Sequence, residues 1–301
     1  MAALLAREQQ VAVEALPAIS RRFTDIETCA RAIDLVDESV AVVACEGQRV
    51  VGVLTFTVDA EYATASSTGF SIDPSADATG TFAAMYADAA PYLLERGAFR
   101  HTVDHLAIPE LQEAVADLGF GRIGVSAARG TENGMSLPTD ADVRIGDEDD
   151  LDSIVELAEV ERSFRGAPPI YGSVDAPSRE RMRHRRLLGM RERGDVPLIA
   201  RVDGVDAGLL IVEPTSPDDG RLLEHQRPFI GPTATSPNHR GRGVAAALVA
   251  RAIELAGERG HGAISVSFSP ANPLSRPFWL GAGFRPTGYS VMRAIHPAHL
   301  E

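Results

Sequence analysis

The chain contains no lysine; all 29 of its basic residues are arginine. That absence excludes lysine Schiff-base chemistry, lysine self-acylation and the GxxxxGK[ST] phosphate loop. Cysteine is scarce too. Cys29 and Cys45 are the only two, and neither sits in a CxxC pair, so no disulfide or thiolate–metal framework is expected in 301 residues. No metal is expected. No run approaches the roughly 20 apolar residues of a membrane helix. The start, MAALLAREQQVAVEAL, lacks a basic segment ahead of an unbroken apolar one, so it does not read as a secretory signal. A cytoplasmic, bacterial-style protein without a membrane partner is expected. The net charge of -13 disfavours nucleic acid as a partner.

What is present is globular: 45% hydrophobic residues against 24% charged ones, a balance that folds on apolar burial. The charge is uneven. Residues 1–139 carry a net -10 and residues 140–301 only -3, so an anion site belongs in the second half. Between the halves, Gly130 to Asp142 is rich in turn formers and suggests a division into 1–138 and 139–301.

The halves resemble each other. Ala41–Phe56 and Pro197–Val212 each read as strand, turn, strand, with Gly47 or Gly204 at the turn and Gly52 or Gly208 in the second strand. Next, Ser71–Gly97 and Ala234–Gly260 align without gaps at an offset of 163, Gly80 meeting Gly243 and Glu95-Arg96-Gly97 meeting Glu258-Arg259-Gly260. Each reads as a strand end, a loop and an amphipathic helix stopped by glycine. Gly119-Phe120 then meets Gly283-Phe284. The chain reads as a duplicated unit of about 150 residues. The expected fold is α/β: two tandem units, each a central mixed, mostly antiparallel sheet flanked by helices. The first lacks a convincing strand before the helical-looking segment 8–38.

The segment that carries chemistry is Phe229 to Gly260. A β-rich run ends at Thr235, a short loop follows, and Arg240-Gly241-Arg242-Gly243-Val244-Ala245 leads into an alanine-rich helix. Glycines let the backbone turn tightly against a ligand, and the helix start presents unbonded N–H groups, which together cradle a phosphate. Arg240 and Arg242 add positive charge. The dinucleotide pattern GxGxxG is absent.

Arg240-x-x-Gly243-x-Ala245 resembles the R/Q-x-x-G-x-G/A pyrophosphate loop of the GNAT acyltransferases. The family's Asn after a strand, followed by a short helix ending in Gly-Phe, has counterparts in Asn272 and Gly283-Phe284. The resemblance covers roughly 142–295, and more faintly 20–130. It implies an N-acetyltransferase that moves an acetyl group from acetyl-CoA, its co-substrate, to an amine acceptor. Thr233, Ala234 and Thr235 would line the strand that holds the pantetheine, Arg240 to Ala245 would hold the pyrophosphate, and Asn272 would contact the coenzyme arm. The duplicated arrangement resembles that of mycothiol synthases, though no motif selects that acceptor.

In the first copy Arg240 becomes Asp77, Arg242 becomes Thr79, Ala245 becomes Phe82 and Asn272 becomes Ile108. A carboxylate replaces a cation, and bulk replaces space. The first unit is therefore expected not to bind the coenzyme.

The catalytic groups are less defined. Many relatives place a tyrosine, the thiolate's proton donor, where this chain has Trp279, whose indole N–H does not titrate near neutral pH. Ser275 and Tyr289 are candidates to replace it, Ser275 also near the coenzyme sulfur. The fourth-strand acid of the family is missing, which leaves Glu213 and Glu224 as candidate bases. Tyr171, in the loop Gly166–Ser173, and His225 are candidate acceptor contacts. Ser178 caps an arginine-rich helix with Arg179, Arg183 and Arg186 along one face, a solvated surface or a contact for an acidic acceptor or a second subunit in a homodimer. Cys45, mid-strand, reads as a buried small hydrophobe. The alternative to an enzyme is a catalytically silent acyl-CoA-binding sensor or scaffold.

Overall fold

The computed structural model describes residues 1–16, 18–34, 39–135, 139–172, 177–215, 220–224, 226–296 and 298. In chain order the elements are α1 (Ala2–Ala15), α2 (Ile26–Asp34), β1 (Ser39–Glu46), β2 (Arg49–Asp59), β3 (Tyr62–Ala65), β4 (Phe70–Ile72), α3 (Ala78–Glu95), β5 (Arg100–Leu106), α4 (Pro109–Asp117) and β6 (Gly121–Gly130). Then come β7 (Asp142–Ile145), α5 (Leu151–Gly166), α6 (Arg179–Leu188), β8 (Val196–Val202), β9 (Val205–Glu213), β10 (Phe229–Thr235), α7 (Val244–Glu258), β11 (Ala263–Phe268), α8 (Ser275–Gly281) and β12 (Arg285–Ala294).

Two compact units form, and they do not divide at one point. Unit 1 gathers Met1–Ala127, Asp218–His225 and Pro286–Glu301; unit 2 gathers Ala128–Pro217 and Gln226–Arg285. The single cut at 138/139 suggested by the turn-rich linker therefore differs from the observed division. The reason is hydrogen bonding. The amides and carbonyls of β12 find their partners on β5, in antiparallel register from Gly288↔Leu106 to Ala294↔Arg100.

In unit 1 the sheet order is β1-β2-β3-β5-β12-β6, with β4 also on β2. β3 and β5 are parallel, whereas β1–β2, β2–β3, β2–β4 and β5–β12 are antiparallel. Among the described residues no strand precedes β1; α1 and α2 stand there instead. A ring cluster fills the core, with Phe82 at 5.4 Å from Phe70, 5.7 Å from Phe120 and 6.0 Å from Tyr86 between centroids. Cys45 corrects the expectation above. It is exposed, because β1 is an edge strand and a bulge between Ala44 and Cys45 breaks the inward alternation.

In unit 2 the order is β11-β10-β9-β8-β7, parallel between β10 and β11 and antiparallel elsewhere. The apolar face of α5 (Ile154, Leu157, Ala158) packs on Ile199, Leu209 and Ile211. Helix α7 presents Val244, Leu248, Val249, Ala252 and Ile253 to the sheet at three- and four-residue spacing.

The duplication is legible in the packing of each unit. A Cβ on Gly52 of β2 would lie 2.7 Å from Thr81 Cγ2 and 2.8 Å from Met85 Sδ; a Cβ on Gly208 of β9 would lie 2.5 Å from Val244 Cγ1. Each glycine lets the long helix lie flat on its sheet. Each helix ends at a left-handed glycine, Gly97 or Gly260, both at φ +80°.

Candidate active site

The site begins with a strand that parts from its neighbour. β10 pairs with β11 only at Phe229↔Ser265 and Ile230↔Val266, while its pairing with β9 resumes at Thr233↔Leu210 and runs to Thr235↔Gly208. The register shift between Ile230 and Thr233 contains Gly231 and Pro232, and proline cannot donate to a ladder. Past Ile230, the edge of β10 that faced β11 is free of that ladder. Thr233, Ala234 and Thr235 lie on this edge, where an extended amide-bearing ligand can bond to main chain as a strand would.

The chain then turns into α7. Gly241 and Gly243 adopt φ +77° and +76°, conformations that non-glycine residues rarely take. Gly243 caps the helix, whose first bond to it is Ala247 N–H donating to Gly243 O at 2.9 Å. The amides of Val244, Ala245 and Ala246 therefore have no helical carbonyl to bond, and they share the positive end of a 15-residue helix. Arg240 stacks on Phe164 of α5, its guanidinium carbon 5.1 Å from the ring centroid. Arg242 lies differently. It donates to Asp203 at 2.8 Å and lies 3.6 Å from Asp140, so two carboxylates offset its charge.

Glu213 ends β9 opposite Phe229, and a Cβ on Gly231 would lie 2.5 Å from its Oε1. The carboxylate thus rests against the point where β10 leaves β11. Burial raises its pKa above the ordinary value and nearby Asp195 adds to this, against Arg193, Arg186 and Arg185. Asn272 and Ser275 follow β11. Asn272 Oδ1 accepts from the amides of Leu274 (3.0 Å) and Ser275 (3.2 Å), which fixes the start of α8. Ser275 Oγ donates to Ser269 O at 3.4 Å. Trp279 is buried, edge-on to Phe284 at 5.3 Å, and so packs the core of unit 2.

Tyr171 is 73% exposed at φ +49°, its amide bonded to Ala167 O. Glu224 and Tyr289 belong to unit 1. Tyr289 is buried there, its ring 5.7 Å from that of His105 and 3.8 Å from the Arg122 guanidinium carbon. His225 lies outside the described residues. The structure therefore gathers Glu213, the β10 edge, the glycine turn, Asn272 and Ser275 into one unit.

Unit 1 has the same parts filled in. At the offset of 163, Phe70 and Ile72 stand where Thr233 and Thr235 stand. The Ile72 amide donates to Glu8 Oε1 (3.1 Å) and the Phe70 carbonyl accepts from Arg221 Nη1 (3.2 Å). Glu8 and Arg221 pair at 2.5 Å, both buried. The matching turn is gone as well. Ala78 and Gly80, counterparts of Gly241 and Gly243, are already inside α3. A Cβ on Gly80 would lie 2.5 Å from Asp77 Oδ2, so a carboxylate lies over the helix start. Phe82, the counterpart of Ala245, is buried against Phe70, Tyr86 and Phe120. Sequence comparison found Asp77 and Phe82. It missed Glu8 and Arg221, because they lie more than 200 residues apart and nothing in sequence ties one to the other.

Residues 157–284 match the Acetyltransferase (GNAT) family. The L-2,4-diaminobutyric acid acetyltransferase of Nocardia farcinica is 33% identical over 91 residues, 30% of this chain and 43% of that protein. The chain thus spans less than half the length of this curated relative. A GCN5-related N-acetyltransferase from Sphaerobacter thermophilus superposes over 98% of this chain and 92% of its own at a TM-score of 0.62 and 17% identity. A tandem GNAT protein from the clavulanic acid biosynthesis pathway covers 97% and 94% at 0.51 and 15%. The last two show the fold.

Proposed function

We propose, from the premise that residues 157–284 form a GNAT acetyltransferase domain within a tandem GNAT fold, that the chain moves an acetyl group from acetyl-CoA to a small-molecule amine by direct attack. One observation carries the reading: the parted edge of β10 leads straight into a glycine turn at the head of α7, with Glu213 against the parting point. The fit is chemical. Unbonded amides and a helix dipole suit a pyrophosphate, and an unpaired strand edge suits a chain of amides.

When bound, acetyl-CoA supplies the thioester carbonyl that the amine attacks, with the C–N bond forming as the C–S bond breaks. The amides from Gly241 to Ala246 hold the pyrophosphate, and Arg240 supports them. The edge of Thr233 to Thr235 orients the pantetheine. Glu213 takes the proton from the amine, directly or through a water, and burial, which raises its pKa, makes it a stronger base than an ordinary carboxylate. Ser275 Oγ, near the start of α8, turns its one O–H from Ser269 O to the leaving sulfur. The Nocardia relative's diamino acid supports a small amine as acceptor.

The test is release of free CoA across a panel of amines. The wild type turns over at least one amine, and Glu213→Gln loses about 100-fold or more in kcat/KM. A second reading, silent acyl-CoA binding, is favoured by Trp279, which leaves the family's tyrosine position without a titrating hydroxyl. Tight coenzyme binding without release of CoA under any amine would establish it.

A further inference from the structure

The glycine turn carries two arginines, and their surroundings differ. Arg242 is neutralised within unit 2. It donates to Asp203 at 2.8 Å and lies 3.6 Å from Asp140, and its carbonyl accepts from Thr139 Oγ1 at 3.4 Å. These contacts tie the head of α7 to the turn between β8 and β9. The Arg240 guanidinium has no hydrogen bond and no ion pair among the described residues. It lies over the ring of Phe164, its guanidinium carbon 5.1 Å from the centroid.

The pattern of α5 explains why a ring is there. Phe164 follows Leu157 by seven residues, two helical turns, and so continues the stripe that packs on the sheet. Helix α5 lies against β10. At the last turn of α5 that stripe reaches the surface, and Phe164 is only half-buried. A guanidinium is weakly hydrated and stacks by its plane, while its five N–H donors point outward in that plane. Stacking therefore uses none of the donors that bind phosphate oxygens. Without the ring, Arg240 would be a freely rotating exposed side chain, and gripping an anion would cost the entropy of ordering it. The stack orders the side chain in advance and leaves its donors unspent.

We propose that Phe164 is a positioning residue for the coenzyme: its ring holds the Arg240 guanidinium ready for the diphosphate. This rests on the coenzyme reading above. Phe164 makes no contact with phosphate in this scheme and acts only through Arg240.

The test is a double-mutant cycle read by calorimetric titration with acetyl-CoA. Phe164→Leu keeps apolar bulk but removes the π-face, and is expected to weaken Kd about 3- to 10-fold. Arg240→Met is expected to weaken it about 10-fold or more. In the Arg240→Met background, Phe164→Leu is expected to change Kd by less than about twofold, because the ring has no cation left to hold. Phe164→Tyr keeps the π-face and is expected to bind within about twofold of the wild type. A ring that served only to pack α5 would cost the same in both backgrounds. That result, an unchanged Kd in Phe164→Leu, or a Phe164→Tyr variant as weak as Phe164→Leu, would overturn the inference while leaving the coenzyme reading intact. No binding of acetyl-CoA to the wild type would overturn the coenzyme reading itself, and this inference with it.

Discussion

Replacing Arg221 by methionine removes a guanidinium that is 1% exposed and makes contacts in several directions within unit 1. Its Nη2 donates to Glu8 (2.5 Å), its Nε to Gln9 Oε1 (2.9 Å), and its Nη1 to the carbonyls of Ser67 and Phe70 (3.2 Å each). The substitution leaves the Glu8 carboxylate, 3% exposed, without its counter-charge. Breaking a buried ion pair from one side costs about 3–5 kcal/mol. The two carbonyls add to the loss, but contacts within one network do not sum. We expect Arg221→Met to destabilise unit 1 by about 3–5 kcal/mol. The double variant with Glu8→Met should recover much of that loss, because two apolar side chains replace two charges. Urea unfolding measures it. Circular dichroism follows the whole chain, while Trp279, the only tryptophan, lies in unit 2 and reports there. A loss below about 1 kcal/mol, or a double variant that costs the full sum of the singles, would refute the assignment of the pair as the element that fills the β4 edge.

Glu213 must be deprotonated to accept a proton. Its carboxyl is raised by burial and by Asp195, against Arg193, Arg186 and Arg185, so the acidic limb of kcat/KM should lie above the ordinary glutamate value of 4.5 and vanish in Glu213→Gln. A limb unchanged in that variant would assign the base elsewhere. His105, buried and bonded through Nδ1 to Leu106 O (2.8 Å), is held neutral with a pKa lowered to about 4. The unfolded chain binds this proton below about 6.5, so the stability is present above that pH and is lost as pH falls toward 4, about 2 kcal/mol by pH 5. Urea midpoints at pH 5 and 7.5 should differ less in His105→Leu than in the wild type. Gly208→Ala drives a methyl against Val244 and should cost about 1–3 kcal/mol, weakening acetyl-CoA binding because α7 carries the turn at its head.

The sequence announced the parts that depend on local chemistry. Gly241 and Gly243 were readable because a left-handed turn before a helix demands glycine, and both take positive φ. The helix stops at Gly97 and Gly260 were readable for the same reason. Long-range partners were not. Nothing local to β12 says that its ladder partner is β5, nearly 190 residues earlier in the chain. Nothing in the run of α6 arginines says that Arg179 and Arg183 grip Asp152. The alternation that suggested a buried Cys45 fails at a bulge, a backbone event that side-chain periodicity does not encode.

The most direct test of the coenzyme assignment is calorimetric titration of the protein with acetyl-CoA, beside an Arg240→Glu variant. One site per chain in the wild type, abolished or greatly weakened in the variant, is the predicted result. Two sites per chain, or one site indifferent to Arg240, would contradict it by placing the coenzyme outside the glycine turn of unit 2.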